Sequence, residues 1–220
     1  MELTIVYDDE PSDYSRLIAD HGFSCWIETG KEVILFDTGT KGDILLHNLE
    51  ACGKDPSRIS KIVISHEHYD HNGGLPALLS MLDQVTIYRI DERPCSSKVT
   101  SVAVKEPIRI GADILSTGRL LGSPLDEQSL IIEQENGLVV LTGCSHSNVG
   151  TILDVAGAHG KVLGLIGGFH GFNAFDVLES LLFICPCHCT AHKKKILTLY
   201  PNKSSQCHVG STFDMDTMIS

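Results

Sequence analysis

The sequence predicts a layered α/β fold, in which helices flank packed β-sheets. Short apolar runs typical of strands, such as EVILFD and LVVLTG, recur along the 220-residue chain and alternate with segments of helical periodicity. No low-complexity stretch, internal repeat or linker interrupts this alternation. We therefore expect one α/β domain over residues 1–220.

The N-terminal half begins with strands and then alternates. LTIVY, SCWIE and EVILFD predict three strands, and GDILLHNLEACG predicts a helix that ends at Gly53. KIVIS predicts a short buried strand, LPALLSML a helix with Pro76 in its first turn, and VTIY another strand. Residues 91–128 predict a loop followed by short strands with turns.

The C-terminal half opens with a β-hairpin. SLIIEQ and LVVLTG are its strands, and Asn136-Gly137 is the expected turn. A repeated strand-and-helix pattern follows in VGTILDVAGAHG, KVLGLIGG, AFDVLESLLF, ICPCHCT and AHKKKILTLY. The two β-rich halves therefore both carry helices.

Charge and composition limit the partners. The formal net charge of -11 argues against a nucleic-acid backbone, which needs clustered Lys and Arg. The one basic cluster, Lys193 to Lys195, is typical of the solvated face of a helix. No apolar signal core or membrane-length apolar run is present, and eight irregularly spaced cysteines fit a reducing compartment. We expect a cytoplasmic protein with neither nucleic acid nor membrane as partner, and the oligomeric state is open.

Histidines recur where predicted strands end. His66, His68 and His71 follow KIVIS in the stretch SHEHYDHNGG. Three further histidines follow later apolar runs: His146, His170 and His188. Because strand exits of an α/β layer meet at one edge and imidazole is a common metal ligand, this pattern indicates a metal site. The competing interpretation is a set of core or surface histidines with no shared purpose.

The H-x-H-x-D-H spacing itself has a physical meaning. His66 and His68 are two apart on an extended segment and can face one metal together. Asp70 and His71 follow a bend and can face a second metal beside it. Such a motif at a strand exit is far more specific than a bare H-x-H.

The CPCHC run allows a rival site. Cys185, Cys187 and Cys189 are two apart, so a continuous strand would place all three on one face. They could hold zinc or an iron–sulfur cluster, although structural zinc sites prefer two intervening residues. Cys144 is expected to be a buried small hydrophobic residue, and no cysteine–histidine pattern indicates a thiol nucleophile.

HEHYDH resembles the metal-binding signature of the metallo-β-lactamase fold, and LFDTG at residues 35–39 resembles the motif that precedes it. HGFSCWIE, EQSLIIE, TGCSH, GGFH and HCT extend a narrower resemblance over nearly the whole chain. They are similar to the subfamily called 7,8-dihydropterin-6-ylmethyl-4-(β-D-ribofuranosyl)aminobenzene-5'-phosphate synthase. The resemblance implies a four-layer αββα sandwich with a one- or two-metal site at one edge.

The resemblance also implies a ligand set. His66, His68 and His146 would hold one metal, and Asp70, His71 and His188 the other. His170 stands where the superfamily usually has an aspartate that bridges the metals. We expect one or two divalent ions, with zinc preferred and manganese or iron as alternatives.

Two catalytic roles follow from the resemblance. Asp70 would orient a hydroxide and take its proton, and Asp37 would lie outside the metal ligands and fix histidine tautomers. The implied reaction joins a dihydropterin methyl carbon to an arylamine with release of pyrophosphate. The alternative is a metallohydrolase that attacks a phosphate ester with a metal-bound hydroxide.

The expected substrate is therefore a small, phosphorylated molecule. Residues 91–128 are expected to form the pocket walls. Two further possibilities are a metal-binding or sensory protein with little turnover, and a di-iron redox protein. The redox role is disfavoured because no flavin module and no bridging carboxylate are present.

Overall fold

The computed structural model describes residues 1–14 and 16–218. The chain divides into two compact units, which are residues 1–104 with 208–214, and residues 105–207 with the segment that begins at Met215. Each unit contains one mixed β-sheet together with helices, so the predicted α/β class is confirmed. That residues 1–220 form a single domain stays a prediction.

Thirteen strands and six α-helices are assigned among the described residues. The strands are β1 (Glu2–Tyr7), β2 (Ser24–Glu28), β3 (Val33–Phe36), β4 (Ile59–Val63), β5 (Val85–Arg89), β6 (Val99–Ala103), β7 (Ile108–Gly111), β8 (Ile114–Ser116), β9 (Leu130–Gln134), β10 (Gly137–Thr142), β11 (Val162–Gly168), β12 (Phe183–Cys187) and β13 (Thr212–Asp214). The α-helices are α1 (Gly42–Ala51), α2 (Tyr69–Asn72), α3 (Leu75–Ser80), α4 (Val149–Gly157), α5 (Lys193–Leu199) and α6 (Met215–Met218). No helix among them is both long enough and apolar enough to span a membrane.

Both sheets are built from an antiparallel part and a parallel part. The sheet of the first unit has the order β13-β1-β2-β3-β4-β5-β6, and its strands from β3 to β6 are parallel. The sheet of the second unit has the order β12-β11-β10-β9-β8-β7, and β10, β11 and β12 are parallel. Parallel neighbours end at the same sheet edge, so loops that follow them are brought together.

Each unit has its own apolar core. In the first unit, Leu45 and Leu49 of α1 are fully buried in one cluster with Leu35 of the sheet. In the second unit, Ile152 of α4 is buried in a cluster with Val140. Full burial of such a side chain stabilises the fold by about 1.5–3 kcal/mol, so these helices hold their sheets from one face.

Most predicted elements are confirmed, with two differences. The hairpin of β9 and β10 pairs Gln134 with Gly137, so its turn is one residue earlier than expected. AFDVLESLLF forms only a 3-10 turn at Phe175–Leu178, so a full α-helix there was wrong. Residues 91–128 contain β6, β7 and β8, in agreement with the short strands expected.

Candidate metal-binding site

In the first unit, two neighbouring parallel strands deliver the motifs singled out in the sequence. Asp37 directly follows β3, and the SHEHYDH stretch follows β4. The two loops are pinned together because the Thr38 amide and hydroxyl both donate to the His71 carbonyl, at 2.7 and 3.1 Å. The two motifs, which are separated in the chain, are therefore close together in space.

Gly73 and Gly74 allow this close approach. A Cβ atom on Gly73 would lie 2.2 Å from the Thr40 carbonyl oxygen, and one on Gly74 would lie 2.2 Å from the Thr38 carbonyl oxygen. Both glycines have ordinary helical backbone angles, -64° and -75° in φ. They are therefore needed because there is no room for a side chain, rather than to make a sharp turn.

Asp37 is the central hydrogen-bond acceptor among these residues. Its side chain is fully buried and accepts three hydrogen bonds of 2.7 Å. The donors are the amide of Ser65, the hydroxyl of Ser65 and Nδ1 of His71. One carboxylate thereby fixes both the strand exit that carries the histidines and one of the histidine rings.

These bonds determine the tautomers of two imidazoles. A carboxylate only accepts, so Nδ1 of His71 carries a proton and Nε2 of the neutral ring keeps its lone pair. The Ser65 hydroxyl gives its proton to Asp37 and therefore accepts from Nδ1 of His66, at 2.9 Å. His66 and His71 both direct the same nitrogen, Nε2, away from Asp37, as metal-ligating histidines do.

The geometry of His66 and His68 fits a single metal ion. Nε2 of His66 and Nδ1 of His68 lie 3.0 Å apart. Two nitrogens that each lie about 2.1 Å from one ion are separated by roughly 3.0–3.4 Å. Nitrogen donors at this spacing therefore fit a divalent ion such as zinc, manganese or iron.

Asp70 has two histidine neighbours in the first unit. Its Oδ2 atom lies 3.5 Å from Nε2 of His71 and 3.4 Å from Nε2 of His21. The other ring nitrogen of His21, Nδ1, lies 3.1 Å from Oδ2 of Asp9. The carboxylate of Asp70 is thus linked through His21 to a second carboxylate near the surface.

The residue between the first two histidines has a different task. Glu67 accepts two hydrogen bonds from the Arg89 guanidinium, at 2.8 and 2.6 Å, and one from Asn72, at 3.0 Å. This paired arrangement ties the motif to the end of β5. Glu67 therefore stabilises the loop and is not one of the proposed metal ligands.

In the second unit, three parallel strands each deliver a histidine. His146 follows β10, His170 follows β11 and His188 directly follows β12. The strand ends are in register, since Thr142 pairs with Gly167 and Gly168 pairs with Cys187. These three exits therefore meet at one sheet edge, whereas His66, His68 and His71 follow β4, a strand of the other sheet.

These three histidines differ in their surroundings. The rings of His146 and His170 lie side by side, with centroids 5.1 Å apart. His188 is buried, His146 is half-buried and His170 is exposed. His170 is thus the most accessible of the three from solvent.

A small cavity opens beside His146 and His170. Its volume is about 190 Å³, and its walls are residues from three loops of the second unit, including Ser123, Asn148 and Phe172. Asp126 shapes one of these loops, because it accepts from the Gly122 amide at 3.1 Å and from Arg119 at 2.6 Å. The segment 91–128 contributes Ser123 to the wall of this cavity, and that it lines the substrate pocket stays a prediction.

Backbone strain is concentrated at the strand exits of both units. Five non-glycine residues in the described part of the chain have positive φ angles: Asp37, Ser145, Asn148, His170 and His188. A left-handed conformation costs an L-residue roughly 1–2 kcal/mol, and such strain typically gathers at functional sites. Four of the five lie within three residues of the end of a strand.

The structure adds residues that the sequence did not assign. Ser65 connects Asp37 to His66, and no spacing rule marks a serine for that position. His21, which belongs to none of the motifs in the sequence, contacts both Asp9 and Asp70. Its place in the chain, far from the motif, gave no signal of this contact.

A family model for the metallo-beta-lactamase superfamily matches residues 18–182. A Methanocaldococcus jannaschii protein, uncharacterized protein MJ0448, is 27% identical to this chain. The alignment covers 90% of this chain and 94% of that protein. A second protein of that organism, 7,8-dihydropterin-6-methyl-4-(beta-D-ribofuranosyl)-aminobenzene-5'-phosphate synthase, is 25% identical over 80% of this chain and 82% of its own.

Among solved structures, Tm1679, a metal-dependent hydrolase of the beta-lactamase superfamily, has a TM-score of 0.78. It is 24% identical, and the alignment covers 98% of this chain and 99% of that one. This likeness and the two mixed sheets confirm the predicted fold class. The family model covers most of the chain, and the chain therefore belongs to the metallo-beta-lactamase superfamily.

Proposed function

We propose that this protein is a metal-dependent enzyme that acts on a small phosphorylated substrate, in the manner of the synthase-named relative. The observation that carries the proposal is the Asp37 network. A fully buried carboxylate, with its bonds directed at Ser65 and His71, holds two imidazoles in the tautomer that a metal requires. Histidines that served only to fill a core would not need this arrangement.

The proposed ligands are those implied by the family pattern. His66, His68 and His146 would hold one ion, Asp70, His71 and His188 would hold a second, and His170 would stand in the bridging position. The 3.0 Å separation of the His66 and His68 nitrogens supports the first assignment. Bound divalent ions would supply Lewis acidity toward the phosphate oxygens of the substrate.

The side chains of the chain itself would position groups and move a proton. Asp37 and Ser65 hold His66 and His71 in fixed orientations. Asp70 would accept the proton that the attacking nucleophile loses, and His21 lies close enough to carry that proton toward Asp9. This assignment applies whether the nucleophile is an arylamine or water.

The first candidate reaction is condensation of a dihydropterin diphosphate with an arylamine, with release of pyrophosphate. The synthase-named relative, similar over 80% of the chain, supports this choice. The second candidate is hydrolysis of a phosphate ester. The contact of Asp70 with His21 would serve this reaction as well as the condensation, because it can carry the proton of either nucleophile.

One set of assays separates the two reactions. The purified protein is analysed for bound zinc, manganese and iron, and is then incubated with a dihydropterin diphosphate in the presence and absence of an arylamine. Pyrophosphate release that depends on the amine supports the synthase. Release without the amine, or turnover of phosphate esters, identifies the hydrolase, and a fully metallated but inactive protein contradicts both.

The ligand assignment is tested separately by metal content. His68→Ala is compared with His159→Ala, which removes an exposed histidine at the end of α4. We expect His68→Ala to lose at least one metal equivalent and His159→Ala to retain the wild-type content. If His68→Ala held as much metal as wild type, the site assignment would be wrong.

A further inference from the structure

A second group of potential metal ligands lies inside the second unit, apart from the histidines. The sulfur atoms of Cys185, Cys187 and Cys207 all lie within 4.8 Å of one another. The three residues are essentially inaccessible to solvent, at 0%, 0% and 1% relative exposure. We propose that these sulfurs form a binding site for one soft metal ion, with monovalent copper as the expected ion.

The strand geometry explains how two of the sulfurs come together. Cys185 and Cys187 are alternate residues of β12, so their side chains leave the same face of the strand. Their sulfur atoms are 3.9 Å apart. Three sulfurs in a plane, each about 2.3 Å from one ion, are separated by about 4.0 Å, so this pair already has the spacing of a trigonal site.

The third sulfur is brought to the strand by backbone hydrogen bonds. The amide of Ile184 donates to the Lys203 carbonyl at 2.8 Å, and the amide of Ser205 donates to the Ile184 carbonyl at 2.9 Å. This pairing holds the segment before Cys207 along β12. The site is thus assembled by main-chain contacts rather than by the sulfurs themselves.

The number and kind of donors favour monovalent copper over zinc. Thiolate sulfur is a soft ligand that selects copper(I) and zinc. Structural zinc sites are almost always four-coordinate, whereas the group found in the described residues offers three sulfurs. Copper(I) accepts three soft ligands, so the site matches its preferred number.

The Cys207 thiol is expected to be protonated when no metal is bound. Burial, together with hydrogen bonds to Cys185 and Cys187, raises the pKa of the Cys207 thiol. The Cys187 thiol also has an acceptor, the Cys185 carbonyl at 3.3 Å. Each thiol that becomes a thiolate ligand releases one proton, and copper supplied as copper(I) requires no oxidant or reductant.

Cys189, which the sequence grouped with Cys185 and Cys187, lies elsewhere. Strand β12 ends at Cys187, and His188 takes a positive φ of 42°, so the alternation does not continue. The sulfur of Cys189 lies 3.2 Å from that of Cys144 instead. The prediction that all three cysteines share one face was therefore wrong, and Cys207 is the third member.

The test is a copper(I) titration of the whole protein under anaerobic conditions, after metal removal and thiol reduction. Cys207→Ala is compared with Cys25→Ala, which removes an equally buried thiol of β2 outside the cluster. We expect wild type and Cys25→Ala to bind one more equivalent of copper(I) than Cys207→Ala. The extra equivalent should give sulfur-to-copper charge-transfer absorption in the ultraviolet.

If Cys207→Ala fails to fold, X-ray absorption spectroscopy of wild type loaded with one equivalent of copper(I) still tests the site. Three sulfur neighbours around copper support the site. A shell of nitrogen or oxygen, or equal binding by wild type and a folded Cys207→Ala, overturns it. Binding of zinc but not copper(I) at the three sulfurs would also overturn the choice of ion.

Discussion

Oδ2 of Asp37 lies 2.7 Å from Nδ1 of His71, and both side chains are fully buried. The same carboxylate reaches His66 through the Ser65 hydroxyl. One acidic group thus orients imidazoles that lie five positions apart in the chain. Its removal should affect metal binding even though it is not among the proposed ligands.

Asp37→Asn should weaken divalent metal binding by about 10–100-fold, the usual effect of losing a partner that orients a ligating histidine. The three donors bond to both oxygens of Asp37, whereas the asparagine side chain has only one accepting oxygen, because its nitrogen is a donor. Affinity is measured by competition with a chromogenic chelator. Asp154→Asn, an exposed change on α4, is the matched control. Equal affinities in the two variants would contradict the positioning role of Asp37.

Metal binding should stabilise the wild-type fold, because an ion that binds only the folded state contributes about 2.7 kcal/mol at a concentration 100 times its dissociation constant. His66→Ala removes a proposed ligand and should lose most of this gain. Thermal unfolding is followed with and without added zinc or manganese. A metal-induced rise in Tm as large in His66→Ala as in wild type would show that the ions bind elsewhere.

Gly73→Ala should destabilise the protein by about 1–3 kcal/mol, the range for forcing atoms into a packed site. The new methyl group would be placed 2.2 Å from the Thr40 carbonyl oxygen. Gly157→Ala is the control, since no atom other than those of its chain neighbours and its own helix backbone lies within 4 Å of the position of its Cβ. That change should be neutral or stabilise by up to about 1 kcal/mol. Denaturant unfolding of both variants distinguishes the two cases, and equal stabilities would refute the close-packing role.

Asp126 should contribute a small, pH-dependent stabilisation. The hydrogen bond from the Gly122 amide, and then Arg119, lowers the pKa of this carboxyl group. The contribution is therefore present above the ordinary aspartate pKa and is lost as pH falls below about 4. Because the ion pair is near the surface, the loss should not exceed about 1 kcal/mol.

Unfolding free energies at pH 5.5 and pH 3.5, compared between wild type and Asp126→Asn, measure this term. The variant should show the smaller difference between the two pH values. An identical difference in both proteins would mean that Asp126 does not contribute.

The sequence predicted the parts of the site that depend on strand exits. The apolar run KIVIS contains the last residues of strand β4. The parallel arrangement of β10, β11 and β12 brings His146, His170 and His188 to one sheet edge. Strand periodicity and histidine spacing are local properties, so they can be read without coordinates. The assignment of these residues to particular metals stays a prediction.

Contacts made by loops could not be predicted in this way. The approach of His21 to Asp70 joins residues 49 positions apart, and Cys207 reaches β12 from 20 residues beyond Cys187. The end of strand periodicity at His188 also moved Cys189 away from its expected face. Each of these features depends on the three-dimensional path of a connecting segment rather than on a repeating pattern.

The positive φ angles at the strand exits imply that fold stability and the proposed metal binding place opposite demands on these residues. Replacing His170 or His188 with glycine would remove roughly 1–2 kcal/mol of backbone strain, and this would be set against the loss of the side chain's own contacts. Selection for thermal resistance alone would therefore favour glycine at these two positions, which are proposed to hold metal. A protein evolved only for stability would not be expected to keep histidines at these positions.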